Sequence, residues 1–321
     1  MGSKPSLIRP PRLQPNSRVA LIAPAGPLLE RDDLTRAEEL CRALGYRPVL
    51  GRNAYSKYGY LAGTDDQRVE DLNWALTSRD VDAVWCIRGG FGMTRILDRV
   101  DYAGFARHPR VVIGYSDITA LLLALHRHTG VVTFHGPMAR AAMPPFSRWH
   151  FDRVLTQIGA AGQLGRIAPP ADVLVPQKDR IVSLKAGTAE GRLVGGNLTL
   201  LDALIGTRHM PDLDGAILFL EDVGEDLYSV DRMLAHLRMA GALEDLAGVA
   251  IGRFTDMDRS SGDGALGFDE VLATYLEPLG VPVVYGFPIG HIDDQWTVPV
   301  GVKARLDAER GEVWVLDPAV E

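Results

Sequence analysis

Three polar side chains stand after short apolar runs, at positions where a buried strand would end. Ser116 follows VVIG in the segment GYSD, Glu221 follows AILFL, and His291 lies in GHIDD, shortly after the turn-prone YGFP. A serine hydroxyl is too weak an acid to ionise at neutral pH, so it needs an imidazole that accepts its proton. The imidazole in turn needs a carboxylate that fixes its tautomer and stabilises its charge. Ser116, His291 and Glu221 are therefore candidates for a serine-hydrolase triad.

Each of these residues also has a simpler interpretation, which the local sequence leaves open. Ser116 could cap the helix that follows it, because serine is a favoured N-cap residue. Asp222 and Glu225 compete with Glu221 in the same acidic segment, and His135 follows another strand-like run, VVTF. The catalytic interpretation therefore depends on the combination of side chains rather than on any one of them.

The apolar runs ahead of these residues predict the elements that must position them. In the first half, RVALIA, AVWCI and VVIG alternate with segments of helical periodicity. This pattern predicts an α/β fold with a mainly parallel sheet, whose strands carry ligand-binding groups at their carboxyl ends. The periodicity then weakens, and shorter strand-like segments follow. We expect an N-terminal α/β domain over 1–150, a linker or crossover over 151–186, and a strand-rich C-terminal α/β domain over 187–321.

The composition is that of a globular protein of 321 residues, with 46% hydrophobic and 23% charged residues. A net charge of -7 argues against a nucleic-acid or anionic-membrane partner, because both require a basic face. The two cysteines make no disulfide framework. No apolar run reaches the ~20 residues needed to span a bilayer, and the polar N-terminal segment does not resemble a signal peptide. We therefore expect a cytoplasmic protein.

Seven segments, in order, are similar to the serine LD-carboxypeptidase family, also called muramoyltetrapeptide carboxypeptidases. They are VALIAPAGP, IRGGFGMTRILDRVDY, VIGYSDITALLLAL, TFHGPM, GRLVGGNLTLLDALIGT, LFLEDVGEDLYSVDRMLAHLRMAG and GFPIGHIDDQWTVPVG. The resemblance implies an N-terminal α/β domain and a strand-rich C-terminal domain, with the active site between them. It also implies a homodimer.

The resemblance assigns Ser116 as the nucleophile, Glu221 as the triad carboxylate and His291 as the base. It implies that the backbone amides of Gly90 and Asp117 form the oxyanion hole. The implied reaction is hydrolysis of the amide between an L-configured centre and a terminal D-amino acid. The substrate would be the muropeptide tetrapeptide of peptidoglycan recycling, and the products D-alanine and the tripeptide. No metal or other cofactor is expected, because the sequence contains no cluster of metal ligands.

Three further residues are candidates for substrate binding, each with a structural alternative. Arg88 suits the substrate's terminal carboxylate because its guanidinium is fork-shaped, but it could pair with an internal acid instead. Asn197 follows two glycines, and could bind substrate or shape the turn. Trp296 could supply an aromatic platform for a nucleotide base.

Two alternative functions remain open at this point. Some members of the family confer immunity to microcin-type compounds by cleaving aminoacyl or peptidyl nucleotide amides, and the Trp296 platform would suit such a substrate. Alternatively, the segment RGGFG after a strand could form the phosphate loop of a non-catalytic binding protein. That segment fits neither of the two common glycine-rich phosphate-binding motifs.

Overall fold

The first half of the chain is built around a mainly parallel sheet. The computed structural model describes residues 6–167, 180–257 and 266–321. The parallel strands from this half are β1 (Arg18–Ile22), β2 (Arg47–Leu50), β3 (Ala83–Cys86), β4 (Val111–Gly114) and β5 (Thr133–His135). They lie in the order β5-β4-β3-β1-β2. Every residue of β3 and β4 is buried, which explains why AVWC and VVIG are uninterrupted apolar runs.

A larger mixed sheet dominates the second half. The remaining strands of the described residues are β6 (Ala160–Leu164), β7 (Val182–Lys185), β8 (Thr188–Asn197), β9 (Ala216–Val223), β10 (Gly248–Thr255), β11 (Val283–Tyr285), β12 (Val298–Val300), β13 (Lys303–Asp307) and β14 (Glu312–Pro318). The second sheet has the order β6-β14-β13-β8-β9-β10-β11-β7, with β8 to β11 parallel. β12 instead pairs antiparallel with β5, at the edge of the first sheet. The predicted α/β fold, mainly parallel at first and strand-rich later, is confirmed.

Helices cover both sheets and connect them. Those of the described residues are α1 (Asp32–Ala43), α2 (Asp65–Thr77), α3 (Tyr102–Arg107), α4 (Thr119–Thr129), α5 (Pro145–Leu155), α6 (Leu198–Leu204), α7 (Leu227–Met239) and α8 (Phe268–Leu276). None of these is long and apolar enough to cross a membrane. α4 belongs to the first half of the chain but packs against β8 and α6 of the second.

The contact between the halves is tight where α4 begins. The Thr119 hydroxyl accepts a hydrogen bond from the backbone amide of Asn197 at 3.1 Å. A Cβ at Gly196 would lie 2.6 Å from Thr119 Cγ2, and the φ of Gly196 is +143°. Only glycine tolerates both the conformation and the close approach. The two sheets therefore meet directly beside the turn that carries Ser116.

The segment 151–186, expected to be a crossover, has regular structure in its described part. It contains the end of α5 and the strands β6 and β7, while residues 168–179 lie outside the described residues. Both strands are at the edges of the second sheet, where β6 pairs with β14 and β7 with β11. Pairing with a partner strand thus overrides a weak local pattern. The domain boundaries at 150 and 187 stay a prediction.

Candidate active site

Ser116 lies at a sharp turn between β4 and α4. Its φ is +58°, in the left-handed region that residues with a side chain rarely adopt. The N-cap of α4 is Ile118, so Ser116 is not its helix cap. A strained strand-to-helix turn is instead the arrangement that presents a nucleophilic serine at the end of a strand. Among the described residues, the Ser116 side chain has no hydrogen-bond partner.

The glycine pair of the RGG segment packs against this turn. A Cβ at Gly89 would lie 2.9 Å from Ser116 Cβ, 3.0 Å from Ser116 Oγ and 3.3 Å from the backbone nitrogen of Asp117. Gly90 has a φ of +106°, and a Cβ there would lie 3.0 Å from the Cα of Gly26. Because Gly89 has no side chain, the backbone of this segment lies close to the serine hydroxyl and to the amide that follows it. The missing side chain at Gly90 leaves room for the backbone of Gly26.

The Asp117 side chain ties the serine turn to the same segment. Its carboxylate accepts a hydrogen bond from the backbone amide of Met93 at 2.8 Å. Burial raises the pKa of Asp117 to about 6, although the Met93 amide opposes the rise. The side chain therefore has a structural task, and the backbone amide of Asp117 is the group that faces the glycine pair.

Glu221 and His291 form a largely buried hydrogen-bonded pair. His291 Nδ1 lies 2.8 Å from Glu221 Oε2, and the carboxylate side chain is fully buried while the ring is 19% exposed. Burial raises the pKa of Glu221, and the hydrogen bond from His291 opposes that rise. Gly290 makes the contact possible, because a Cβ there would lie 2.9 Å from Glu221 Oε2. The exposed edge of the ring can accept a proton while Glu221 stabilises the resulting charge.

The neighbouring acids have other partners. Asp222 accepts hydrogen bonds from Asn197 Nδ2 at 2.8 Å and from the backbone amide of Thr199 at 2.9 Å. Glu225 lies 3.3 Å from the hydroxyl of the same threonine. Glu221 is therefore the acid that contacts His291, which the sequence alone could not decide.

A tyrosine that the triad hypothesis does not include contacts His291 and also lies near a second histidine. The Tyr115 ring meets the His291 ring edge-on at 4.7 Å between centroids, and lies 5.9 Å from the His135 ring. His135 is fully buried, and neither ring nitrogen has a hydrogen-bond partner among the described residues. Burial, together with the charge of His291, lowers the pKa of His135 to about 3. Tyr115 stands next to Ser116 in the chain, so its contact brings the serine turn and His291 to the same side of the site.

Trp296 is not available to a substrate. Its side chain is 1% exposed, its indole N–H donates to the carbonyl of Gly165 at 2.8 Å, and its ring packs 5.2 Å from that of Phe287. The prediction of an aromatic platform at this residue is wrong. Trp296 adjoins a loop in the sequence, but its side chain is packed into the core. Trp296 therefore no longer favours a nucleotide substrate.

Contacts within the protein use the hydrogen-bonding groups of Asn197 more fully than those of Arg88. Asn197 Oδ1 accepts from the backbone amide of Leu200 at 3.2 Å and so caps α6, while its Nδ2 donates to Asp222. Its turn-shaping role is therefore established by contacts. Arg88 is half-buried beside the glycine pair and donates one hydrogen bond to the carbonyl of Pro27. It forms an ion pair with no carboxylate of the described residues.

The candidate residues thus come from both halves of the chain. Ser116, Gly90 and Asp117 belong to turns at the carboxyl ends of first-sheet strands, while Glu221 lies near the carboxyl end of β9 and His291 follows β11. A hydroxyl, a proton acceptor with its carboxylate, and backbone amides are the groups that acyl transfer requires.

Comparisons with known proteins point to one family. Residues 19–136 match the model of the LD-carboxypeptidase N-terminal domain, and residues 190–306 match that of the LD-carboxypeptidase C-terminal domain. The murein tetrapeptide carboxypeptidase of Pseudomonas aeruginosa is 36% identical over 92% of this chain and 94% of its own. These matches cover both halves of the chain and all three candidate triad residues.

Solved structures of two kinds share the fold. The muramoyltetrapeptide carboxypeptidase from Oxalobacter formigenes superimposes with a TM-score of 0.78 at 33% identity, over 93% of this chain and 97% of that one. MccF in complex with glutamyl sulfamoyl guanosine gives a TM-score of 0.87 at 24% identity, over 98% of this chain and 99% of that one. The second likeness concerns the fold alone.

Proposed function

The chain belongs to the LD-carboxypeptidase family, and from this premise we propose that it is a serine peptidase acting on muropeptides. It removes the terminal D-alanine from the tetrapeptide and leaves the tripeptide, as peptidoglycan recycling requires. The observation that carries the proposal is the contact of 2.8 Å between His291 Nδ1 and the buried Glu221 carboxylate. The names of the Pseudomonas and Oxalobacter relatives support the substrate class.

In the first half-reaction, His291 takes the proton of Ser116 as the serine oxygen attacks the scissile carbonyl. The Nδ1–H of His291 is directed at Glu221, so Nε2 is the atom that accepts the proton. The Glu221 carboxylate stabilises the imidazolium that forms. Catalytic hydrogen bonds are often long or poorly aligned before substrate binds, so the contact between Ser116 and His291 is expected to form with substrate.

The backbone amides of Gly90 and Asp117 stabilise the oxyanion of the tetrahedral intermediate. Losing one such donor typically raises the barrier by about 2.7–4 kcal/mol. His291 then gives its proton to the leaving amine, and D-alanine departs. In the second half-reaction, His291 takes a proton from water, the hydroxide attacks the acyl-serine, and the proton returns to Ser116.

Release of D-alanine from the purified tetrapeptide tests this proposal. We expect turnover by the wild type, and a fall in kcat of at least about 10³-fold for S116A, H291A and E221Q. S229A, altered in α7 away from the site, serves as the control and should keep full activity. Circular dichroism checks that each variant is folded. Undiminished turnover by S116A would refute the serine mechanism.

The microcin-immunity function is distinguished by a second substrate. An aminoacyl sulfamoyl-adenylate is offered to the same enzyme under the same conditions. Hydrolysis of this compound alone, with no D-alanine released from the tetrapeptide, would contradict the proposed substrate. A binding protein without catalytic activity would hydrolyse neither compound.

We also propose a cytoplasmic homodimer with no nucleic-acid or membrane partner. Recycled wall fragments are small peptides, which suits an enzyme acting on imported material. Light scattering of the purified protein measures the oligomeric state, and fractionation of cells measures the location. A monomer, or recovery with the membrane fraction, would contradict these two parts of the proposal.

A further inference from the structure

Arg88 lies immediately behind the segment proposed to bind the oxyanion. Its Cζ is 4.0 Å from the position that a Cβ at Gly90 would take, and its Nη1 is 3.6 Å from the corresponding position at Gly26. Nη1 donates to the carbonyl of Pro27, which fixes the direction of the guanidinium. A guanidinium has five N–H donors, so the contact with Pro27 leaves most of them for a ligand.

A second guanidinium contacts the same stretch of chain, residues 27–33, that Arg88 contacts through Pro27. Arg140 follows β5, its side chain is 38% exposed, and its Nη1 lies 3.5 Å from Asp33 Oδ1. Burial lowers the pKa of Arg88, and the positive charge of Arg140 lowers it further, while Asp33 acts in the opposite direction. One stretch of chain therefore holds both arginines, and Arg88 is the one that lies beside the glycine pair.

Asp33 does not neutralise both arginines. Its Oδ2 accepts hydrogen bonds from the backbone amides of Leu29 and Glu30, at 3.1 and 3.2 Å. Its Oδ1 is shared between Arg140 and Arg36, at 3.5 and 3.6 Å. Arg36 has two other acidic partners, Glu30 and Asp32, each at 3.0 Å. Arg88 pairs with no carboxylate of the described residues, so its positive charge beside Gly90 stays unpaired.

We propose that Arg88, assisted by Arg140, binds the terminal carboxylate of the substrate and restricts cleavage to the last residue. This inference rests on the proposed carboxypeptidase function. The terminal carboxylate lies one residue beyond the scissile carbonyl, and an extended residue spans about 3.3–3.6 Å. A guanidinium directly behind the oxyanion segment is at a suitable distance, and its fork matches the two carboxylate oxygens.

The alternative role of Arg88 is to stiffen the turn through an internal acid. No carboxylate of the described residues forms an ion pair with it, and its contact with Pro27 uses one N–H only. The cost of holding two like charges near each other is offset if an anion binds between them. The pair therefore fits a ligand carboxylate better than a purely structural role.

The experiment compares the tetrapeptide with its C-terminal carboxamide, which is equal in shape but lacks the negative charge. The wild type should prefer the acid. We expect R88Q to lower kcat/KM for the acid by about 10- to 100-fold, the range for lost hydrogen bonds to charged groups, and to leave the carboxamide unaffected. R140Q should cause a smaller loss of the same kind, and because this side chain is partly exposed the variant should fold normally.

R42Q is the matched control, since Arg42 is an exposed arginine of α1 that pairs with Glu38. It should retain the wild-type preference. R88K, which keeps the charge but not the fork, should recover part of the activity on the acid. Equal losses on acid and carboxamide in R88Q and R140Q would show a structural role and overturn the inference.

Failure of the inference differs from failure of the proposed function. A wild type that hydrolyses acid and carboxamide equally well would refute the carboxylate site and leave the peptidase function intact. A wild type that hydrolyses neither would refute the proposed function itself.

Discussion

Replacing Ser116 by glycine should make the protein more stable than replacing it by alanine, although both variants are inactive. The reason is the φ of +58° at this residue. A left-handed conformation costs a residue with a Cβ about 1–2 kcal/mol, and glycine avoids this cost. Glycine also gives the unfolded chain more freedom, which offsets about 0.4–1 kcal/mol of the gain.

The net difference in free energy of unfolding is therefore expected to be about 1 kcal/mol in favour of S116G. An unfolding entropy of about 2.1 cal/mol/K per residue converts this into a rise in Tm of roughly 1–2 °C for a chain of this length.

Ser229 provides a matched control of opposite sign. It lies in the first turn of α7, where glycine is less favourable than alanine by up to about 1 kcal/mol, the value for a helix interior. Urea and thermal unfolding of S116A, S116G, S229A and S229G, with D-alanine release measured in parallel, give the comparison. If S116G is no more stable than S116A while the Ser229 pair behaves as expected, Ser116 is not strained and the reasoning fails.

Three further perturbations follow from the site. G290A places a methyl group 2.9 Å from Glu221 Oε2, and because a small misplacement is costly in catalysis, kcat for D-alanine release should fall about 10²-fold; an unchanged kcat would contradict this. E221Q keeps the volume but loses the charge that stabilises the imidazolium, so kcat should fall by about 10⁴-fold with little change in KM, and a change in KM alone would count against the role. The pKa of His135 is lowered from 6.5 to about 3, so between these pH values the unfolded chain binds a proton that the folded protein does not. The stability that is present above pH 6.5 is therefore lost as the pH falls toward 3. H135F should remove up to about 1.4 kcal/mol per pH unit of that dependence, measured by urea unfolding between pH 4 and 7, and identical slopes would refute it.

The strands next to the site could be predicted because strands buried on both faces are uninterrupted apolar runs in the sequence. AVWC and VVIG are buried throughout, as uninterrupted apolar runs predict. The choice between Glu221 and Asp222 could not be made in that way. Successive side chains of a strand point to opposite faces, so one of the two meets His291, and only the position of the loop after β11 decides which.

Other features depend on contacts between distant parts of the chain. Trp296 follows an acidic loop segment, which carries no signal of burial, yet it is packed against Phe287. No sequence pattern links Arg140 to Arg88, because only the fold brings both to the stretch of chain over residues 27–33. In the edge strand β6, local propensity is weak and the partner strand supplies the stabilisation.

The chain that follows His291 returns to the first sheet, so the two halves of the protein are not independent structural units. The loop that carries this residue leaves the second sheet after β11 and enters the first sheet as β12, where Val298 is paired with His135. A recombined protein that keeps only the first half would lose an edge strand as well as the base. Exchange between relatives should therefore preserve activity only when residues 286–300 travel with a compatible β5.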